Sequence, residues 1–139
     1  MARLSKLSRS IAGKVAFVTG TASGMGRATA YLFADEGAHV ACVDINGQGA
    51  EETAAAIRGA GGSAQAWTLD VGDRDAVNAV VEAAAQHFGG LDILINNAGI
   101  STAARIDSDE YEAQWERAVS VNISEPTRQA SISYAVFCL

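Results

Sequence analysis

Short apolar segments alternate with helical segments along most of the chain, and this alternation limits the fold more than any other feature. Four segments rich in apolar and β-branched residues have the length of buried strands: Val15–Thr19, His39–Val43, Ala64–Leu69 and Leu91–Ile95. Strands that alternate with helices form a parallel sheet with right-handed crossovers. The pattern therefore predicts a doubly wound α/β domain.

The helical segments differ in how clearly they are patterned. The third is the clearest, with apolar residues along one face at Val77, Val80, Val81, Ala84 and Phe88. Helices are also predicted for Gly24–Glu36, for the segment around Ala50–Ile57, and for a segment that starts near Tyr111. Asp107 and Glu110 have the spacing of a capping box for this last helix. Its stripe runs through Tyr111, Trp115, Ala118, Val119 and Asn122, and it is expected to place Asn122 toward the interior.

Composition and charge exclude several classes of protein. The chain has 139 residues, 49% of them hydrophobic, and a net charge of −6, which suits one globular domain or part of one. Its acidic balance argues against nucleic acid as a partner, because a phosphate backbone requires clustered Lys and Arg. Cys42 and Cys138 belong to no Cys/His cluster, so neither a disulfide framework nor a metal site is predicted. No apolar run is long enough for a membrane span and no secretory signal is evident, so the expected location is the cytoplasm.

A glycine-rich turn joins the first strand to the first helix. Residues 19–26 read Thr-Gly-Thr-Ala-Ser-Gly-Met-Gly, and glycines in such a turn let the backbone approach a pyrophosphate. The N-terminus of the following helix offers the pyrophosphate unpaired N–H groups and a positive dipole end. A Walker loop is excluded, because no Gly-Lys-Ser/Thr follows. Taken alone, the turn could equally be a tight structural connection.

Asp44 indicates which dinucleotide the turn would bind. It ends the second strand eighteen residues after Gly26, where an acidic residue is expected to meet a ribose 2′-hydroxyl. A carboxylate there repels a 2′-phosphate, and Ser23 and Ile45 stand where Arg or Lys would favour NADP. NAD is therefore expected over NADP. The alternative is that Asp44 only caps a surface strand.

Five motifs together resemble the short-chain dehydrogenase/reductase family. They are the turn at residues 19–26, Asp44, the pair Asp70-Val71, the block Asn96-Asn97-Ala98-Gly99 and the pair Val121-Asn122, in order over residues 13–122. The resemblance implies that Asp70 bonds the adenine amino group, with the Val71 backbone beside it. It implies that Asn97 steadies the central sheet and that Ala98 and Gly99 pass close to the cofactor riboses. The expected cofactor contacts are Gly20, Ser23, Gly24, Met25, Gly26, Asp44, Ile45, Asp70, Val71, Asn97, Ala98 and Gly99.

The resemblance also implies a catalytic role for Asn122, which in the family holds a water in a proton relay. The alternative is a core asparagine in a helix kink. The serine and Tyr-x-x-x-Lys elements of the family's catalytic set are absent from these 139 residues, since the only lysines are Lys6 and Lys14. Asn122 is therefore the only expected catalytic residue.

The match to the family ends after Asn122. Pro126 disfavours a continued helix, and the apolar end Tyr134–Leu139 could add a strand at a sheet edge or form an exposed adhesive segment. The predicted organisation is an N-terminal extension (1–12), an NAD-binding Rossmann part (13–122) and a divergent tail (123–139). The sheet is expected to have the strand order 3-2-1-4, with the family's later strands missing. A premature stop or a frameshift would explain this, and the downstream nucleotides would test it.

The predicted function is hydride transfer between NAD(H) and a small alcohol or carbonyl compound, in a truncated and catalytically deficient form that keeps the NAD-binding half. Two alternatives stay open: a non-enzymatic module that binds NAD or a partner, and a poorly folding fragment. Family members usually form dimers or tetramers, so association of copies of the chain is also considered.

Overall fold

A computed structural model of the chain describes residues 9–101 and 105–122. Strands and helices alternate within these ranges: β1 (Val15–Thr19), α1 (Gly24–Asp35), β2 (His39–Asp44), α2 (Gly47–Gly59), β3 (Ser63–Thr68), α3 (Arg74–Phe88), β4 (Ile93–Ile95) and α4 (Tyr111–Asn122). The predicted strands are present, the first with the predicted bounds and the other three with shifts of one or two residues at their ends. The predicted tail, with Pro126 and the segment Tyr134–Leu139, lies outside the described residues, as do residues 1–8 of the predicted extension.

The four described strands form one parallel sheet in the order β3-β2-β1-β4. β1 lies between β2 and β4, with Phe17 opposite Ala41 on one side and Leu94 on the other. The predicted α/β fold, a Rossmann-like sheet with the order 3-2-1-4, is confirmed. All four strands therefore end at the same edge of the sheet.

The core has two layers, one on each face of the sheet. Successive strand residues point to opposite faces. Phe17 and Val43 accordingly pack on one face with Val81 of α3. Val18 packs on the other face with residues of α1 and α2, among them Ala30 and Ile57. This division of helices between the two faces makes the domain doubly wound.

Side-chain caps at positions that the sequence analysis did not identify begin two of the described helices. Asn46 accepts a hydrogen bond from the backbone of Gly49 at the start of α2, and Asp73 caps α3 in the same way. The capping box predicted for α4 is wrong. Asp107 accepts from the Arg105 guanidinium, and Glu110 accepts from the Gln114 side chain, so both carboxylates pair with side chains instead of the helix backbone.

The predicted interior face of α4 is supported only in part. Tyr111, Ala118 and Val119 are half-buried, but no residue of this helix is fully buried, Asn122 is exposed, and Trp115 is 57% exposed. An apolar stripe identifies the face of a helix that needs covering, but it does not specify what covers that face. No helix in the described part of the chain has the length and apolar content that crossing a bilayer requires.

Candidate functional site

The segments that follow the four strands meet at the carboxyl edge of the sheet. Gly20 follows β1, Asp44 ends β2, Asp70 lies two residues after β3, and Asn97 lies two residues after β4. In open α/β sheets, ligands bind outside this edge. The sequence motifs that are scattered over almost 80 positions are therefore brought to one place.

A cavity of about 110 Å³ lies at this edge. Seven of the predicted contact residues line it: Gly20, Asp44, Ile45, Asp70, Val71, Ala98 and Gly99. Its other walls are Leu69, Ile100, Arg117 and Val121. Of the remaining predicted residues, Ser23, Gly24 and Met25 are exposed at the start of α1, whereas Gly26 is buried and Asn97 is partly buried.

The glycines of the turn are required by its geometry. Gly20 and Gly24 have φ angles of +76° and +54°, in the left-handed region that glycine adopts without strain. A Cβ atom on Gly26 would lie 2.0 Å from the carbonyl oxygen of Gly20. The first turn of α1 therefore packs directly on the backbone of the preceding turn, and no larger residue fits at position 26.

The N-terminus of α1 differs from those of α2 and α3. Ser23 occupies its N-cap position but makes no side-chain cap hydrogen bond, whereas Asn46 and Asp73 both cap their helices. The first N–H groups of a helix have no partner within the helix. Those of α1 therefore remain available to an anion at the positive end of the helix dipole.

Two side chains that the sequence analysis missed fix the turn from the side of α2. The hydroxyl of Thr53, a buried residue of α2, donates to the carbonyl of Thr21 at 2.7 Å. The guanidinium of Arg27 donates through Nε to Thr53 Oγ1 at 3.0 Å and through Nη2 to the Ala22 carbonyl. Both residues look unremarkable in the sequence, because an isolated Thr or Arg in a helix carries no pattern.

Asp44 holds the turn from the side of β2. One carboxylate oxygen accepts the N–H of Ala22 and the other accepts the N–H of Asn46, both at 2.9 Å. This carboxylate therefore has two structural bonds in addition to any contact with a ligand. Each oxygen retains a further lone pair for such a contact.

Asp70 is held by donors from two directions. Its Oδ1 accepts the N–H of Gly72 at 2.9 Å, and its Oδ2 accepts Nη2 of Arg117 at 2.7 Å. The hydrogen bond from Arg117, with a smaller contribution from Gly72, holds the pKa of Asp70 below its usual value. Asp70 is thus an ionised, oriented acceptor in the cavity wall.

Asn97 joins the ends of β1 and β4. Its Nδ2 donates to the carbonyl of Thr19 at 3.0 Å. The hydroxyl oxygen of Thr19 in turn accepts the N–H groups of Asn97 and Ala98, each at 3.0 Å. These bonds fix the backbone that leads into the cavity wall at Ala98.

Asn122 binds the loop after β4 through both ends of its amide. Oδ1 accepts the N–H of Ile100 at 2.8 Å, and Nδ2 donates to the carbonyl of Ile100 at 2.7 Å. The residue is exposed, so the expectation that its side chain faces the interior is wrong. The exposed end of α4 is attached to the cavity wall by this pair of bonds.

Comparison with known proteins gives one consistent result. A family model described as short chain dehydrogenase matches residues 14–130. D-threitol dehydrogenase of Mycolicibacterium smegmatis is 42% identical over 113 residues, which cover 81% of this chain and 43% of that protein. The 3beta-hydroxysteroid dehydrogenase 1 of Eggerthella lenta is also 42% identical over 113 residues, with the same two shares. The chain thus spans less than half the length of these curated relatives.

The solved structures agree with the sequence matches. A hydroxysteroid dehydrogenase from Escherichia coli superimposes with a TM-score of 0.80 at 32% sequence identity. The match covers 91% of this chain and 52% of that chain. The similarity therefore extends over almost the whole of this chain and about half of its structural neighbour.

Proposed function

The chain belongs to the short-chain dehydrogenase family, and we propose that it forms the NAD-binding part of an oxidoreductase acting on an alcohol or carbonyl compound. The proposal is supported mainly by one cavity at the carboxyl edge of the sheet, which Gly20 of the glycine-rich turn lines together with two carboxylates, Asp44 and Asp70. A bound nicotinamide dinucleotide supplies or accepts the hydride in this chemistry.

The cavity and the start of α1, which follows the turn, each suit part of a dinucleotide. The backbone N–H groups at Ser23, Gly24 and Met25 suit the pyrophosphate, because they lie at the uncapped start of α1. Asp44 and Ile45 suit the adenosine ribose, and Asp70 and Val71 suit the base. Ala98 and Gly99 also line the cavity, and the riboses would lie toward them.

Asp44 is the basis for proposing NAD over NADP. Its carboxylate would accept hydrogen bonds from ribose hydroxyls and repel a 2′-phosphate. Its neighbour Ile45 is 61% exposed and offers no positive charge. The Asp44→Asn variant keeps one acceptor oxygen and removes the charge, so it is expected to narrow the preference for NADH over NADPH.

We also propose that these 139 residues bind the cofactor without catalysing turnover on their own. Asn122 is the one member of the family's catalytic set in the sequence, and both ends of its amide already bind Ile100. Its Oδ1 keeps one lone pair that could hold a water. No Tyr-x-x-x-Lys element is present to move the proton that accompanies the hydride.

The substrate class is proposed from the relatives. Two of them are named for the dehydrogenation of D-threitol and of a hydroxysteroid, so both act on a hydroxyl group. An alcohol, or the carbonyl compound formed from it, is the substrate class that these names share.

A second candidate function, a non-enzymatic NAD-binding or interaction module, is favoured by the exposed face of α4 around Trp115.

A titration of the purified chain with NADH and NADPH tests the proposal. We expect saturable binding that prefers NADH, followed through the fluorescence of Trp67 and Trp115, and no turnover of alcohols or carbonyl compounds. Absence of binding to either cofactor would contradict the NAD-binding role. NADH-dependent reduction of a carbonyl compound by the chain alone would contradict the proposed lack of activity.

A further inference from the structure

Arg117 reaches from α4 into the wall of the cavity. Its Nη2 donates to Asp70 Oδ2 at 2.7 Å, across 47 positions of sequence, and both residues line the cavity. A further polar attachment of α4 to this wall is the amide of Asn122 on Ile100. Arg117 therefore connects a helix that has no fully buried residue to one of the two acidic side chains in the cavity.

The position of Gly72 shows how closely this contact is packed. The N–H of Gly72 holds the second oxygen of Asp70 at 2.9 Å. A Cβ atom on Gly72 would lie 2.6 Å from Nη1 of Arg117 and 3.2 Å from Oδ1 of Asp70. Two donors thus fix the two oxygens of Asp70, and the remaining lone pairs have one orientation relative to the cavity.

We propose that Arg117 is a positioning residue for the base-binding end of the cavity, where it holds Asp70 as an oriented acceptor for an exocyclic amino group. The inference rests on the proposed dinucleotide binding. Without Arg117, Asp70 loses one of its two donors and its carboxylate rotates toward solvent. The role is thus to make the site selective for a base that carries an amino donor at this position.

Adenine and hypoxanthine distinguish this role from a general effect on stability. Adenine carries an amino donor at C6, whereas hypoxanthine carries a carbonyl acceptor there. A fixed carboxylate accepts from the amino group and repels the carbonyl, and such a site rejects the analogue that lacks the donor. A merely structural role for Arg117 would weaken the binding of both dinucleotides equally.

The experiment compares NADH with its hypoxanthine analogue by isothermal titration calorimetry. Wild type is expected to prefer NADH by about tenfold or more, and Arg117→Met to lose most of that preference. Arg117→Lys is expected to retain part of the preference, because an ammonium can still donate to Asp70. The control is Arg105→Met, which removes an exposed arginine that pairs with an aspartate outside the cavity, Asp107.

A second variant separates Arg117 from Asp70 without replacing either residue. Gly72→Ala is expected to lower the preference for adenine, since its Cβ displaces the guanidinium. If circular dichroism shows that Arg117→Met is unfolded, Gly72→Ala still tests whether the contact between Arg117 and Asp70 sets the preference for adenine.

Several outcomes would overturn the inference. An unchanged adenine preference in both Arg117→Met and Gly72→Ala would do so while leaving dinucleotide binding intact. An increased preference in Arg117→Met would mean that Arg117 itself donates to the base carbonyl. Wild type that binds both dinucleotides equally would remove the proposed selectivity, and wild type that binds neither would overturn the proposed function as well.

Discussion

Thr53 is the single side chain on which the shape of the glycine-rich turn depends most directly. It is fully buried, and its hydroxyl accepts from Arg27 Nε and donates to the Thr21 carbonyl. A buried polar group without a partner costs free energy, so both neighbours depend on this hydroxyl. The turn is therefore held by Thr53 of α2 as well as by Asp44 at the end of β2.

Replacement of Thr53 by Val is expected to lower the free energy of unfolding by about 1–3 kcal/mol, because the hydrogen-bond partners lose the hydroxyl while the side-chain volume is kept. Thr53→Ser keeps the hydroxyl and is the matched control, with a smaller loss from the missing methyl group. Urea unfolding followed by circular dichroism measures both variants. Equal stability of Thr53→Val and Thr53→Ser would show that the hydroxyl contributes nothing.

At the scale of elements, the strands and the first three helices could be predicted from the sequence because each has a pattern of its own. Val15–Thr19 is apolar on both faces, as a central parallel strand must be. The stripe through Val81 and Ala84 identifies the buried face of α3 in the same way. The local pattern of apolar residues was sufficient to predict an element wherever neighbouring elements bury it.

The same reasoning failed where a contact depends on residues far apart in the chain. The bond between Arg117 and Asp70 spans 47 positions and that between Thr53 and Thr21 spans 32. Such pairs form only after the sheet order has placed their elements side by side. For this reason the glycines and carboxylates of the candidate site could be predicted, while the side chains that orient them could not.

Asp92 links the start of β1 to the segment before β4, at the end of the sheet opposite the cavity. One carboxylate oxygen accepts the N–H of Val15 at 2.9 Å, and the other accepts from the Lys14 ammonium at 3.3 Å. The bond from Val15, with a smaller contribution from Lys14, holds the pKa of Asp92 below its usual value. The folded state therefore favours the ionised carboxylate, and the pairing of β1 with β4 is coupled to pH.

This coupling predicts a loss of stability in acid. A carboxyl group with a depressed pKa in the folded state contributes stability above its unfolded pKa of about 3.9, and loses it as the pH falls through the folded value. Asp92→Asn, which removes the ionisation, is expected to flatten the decline of the urea midpoint between about pH 5 and pH 3. Asp109→Asn, on the loop before α4, is the control. The prediction would be contradicted if the urea midpoint of Asp92→Asn declined with falling pH as steeply as that of the wild type.

At the scale of the whole molecule, the amino end of the sheet contributes to stability and its carboxyl end forms the candidate site. Asp92 and Lys14 stabilise strand pairing at the amino end, and the carboxyl end gathers the residues of the cavity. α4 belongs to neither core layer, since it is attached through Arg117 and Asn122 and buries none of its residues. An amphipathic helix in this position leaves apolar surface exposed to solvent.

We expect that surface to mediate association between copies of the chain. The rings of Tyr111 and Trp115 stack with centroids 6.4 Å apart, and Trp115 is 57% exposed, so covering them would remove apolar area from water. Sedimentation velocity at increasing protein concentration should show a defined oligomer, which Trp115→Ser dissociates. Leu32→Ser is the matched control, because Leu32 is 58% exposed on α1. Equal weakening by both substitutions would indicate nonspecific attraction, and polydisperse wild-type material would identify the chain as a poorly folding fragment.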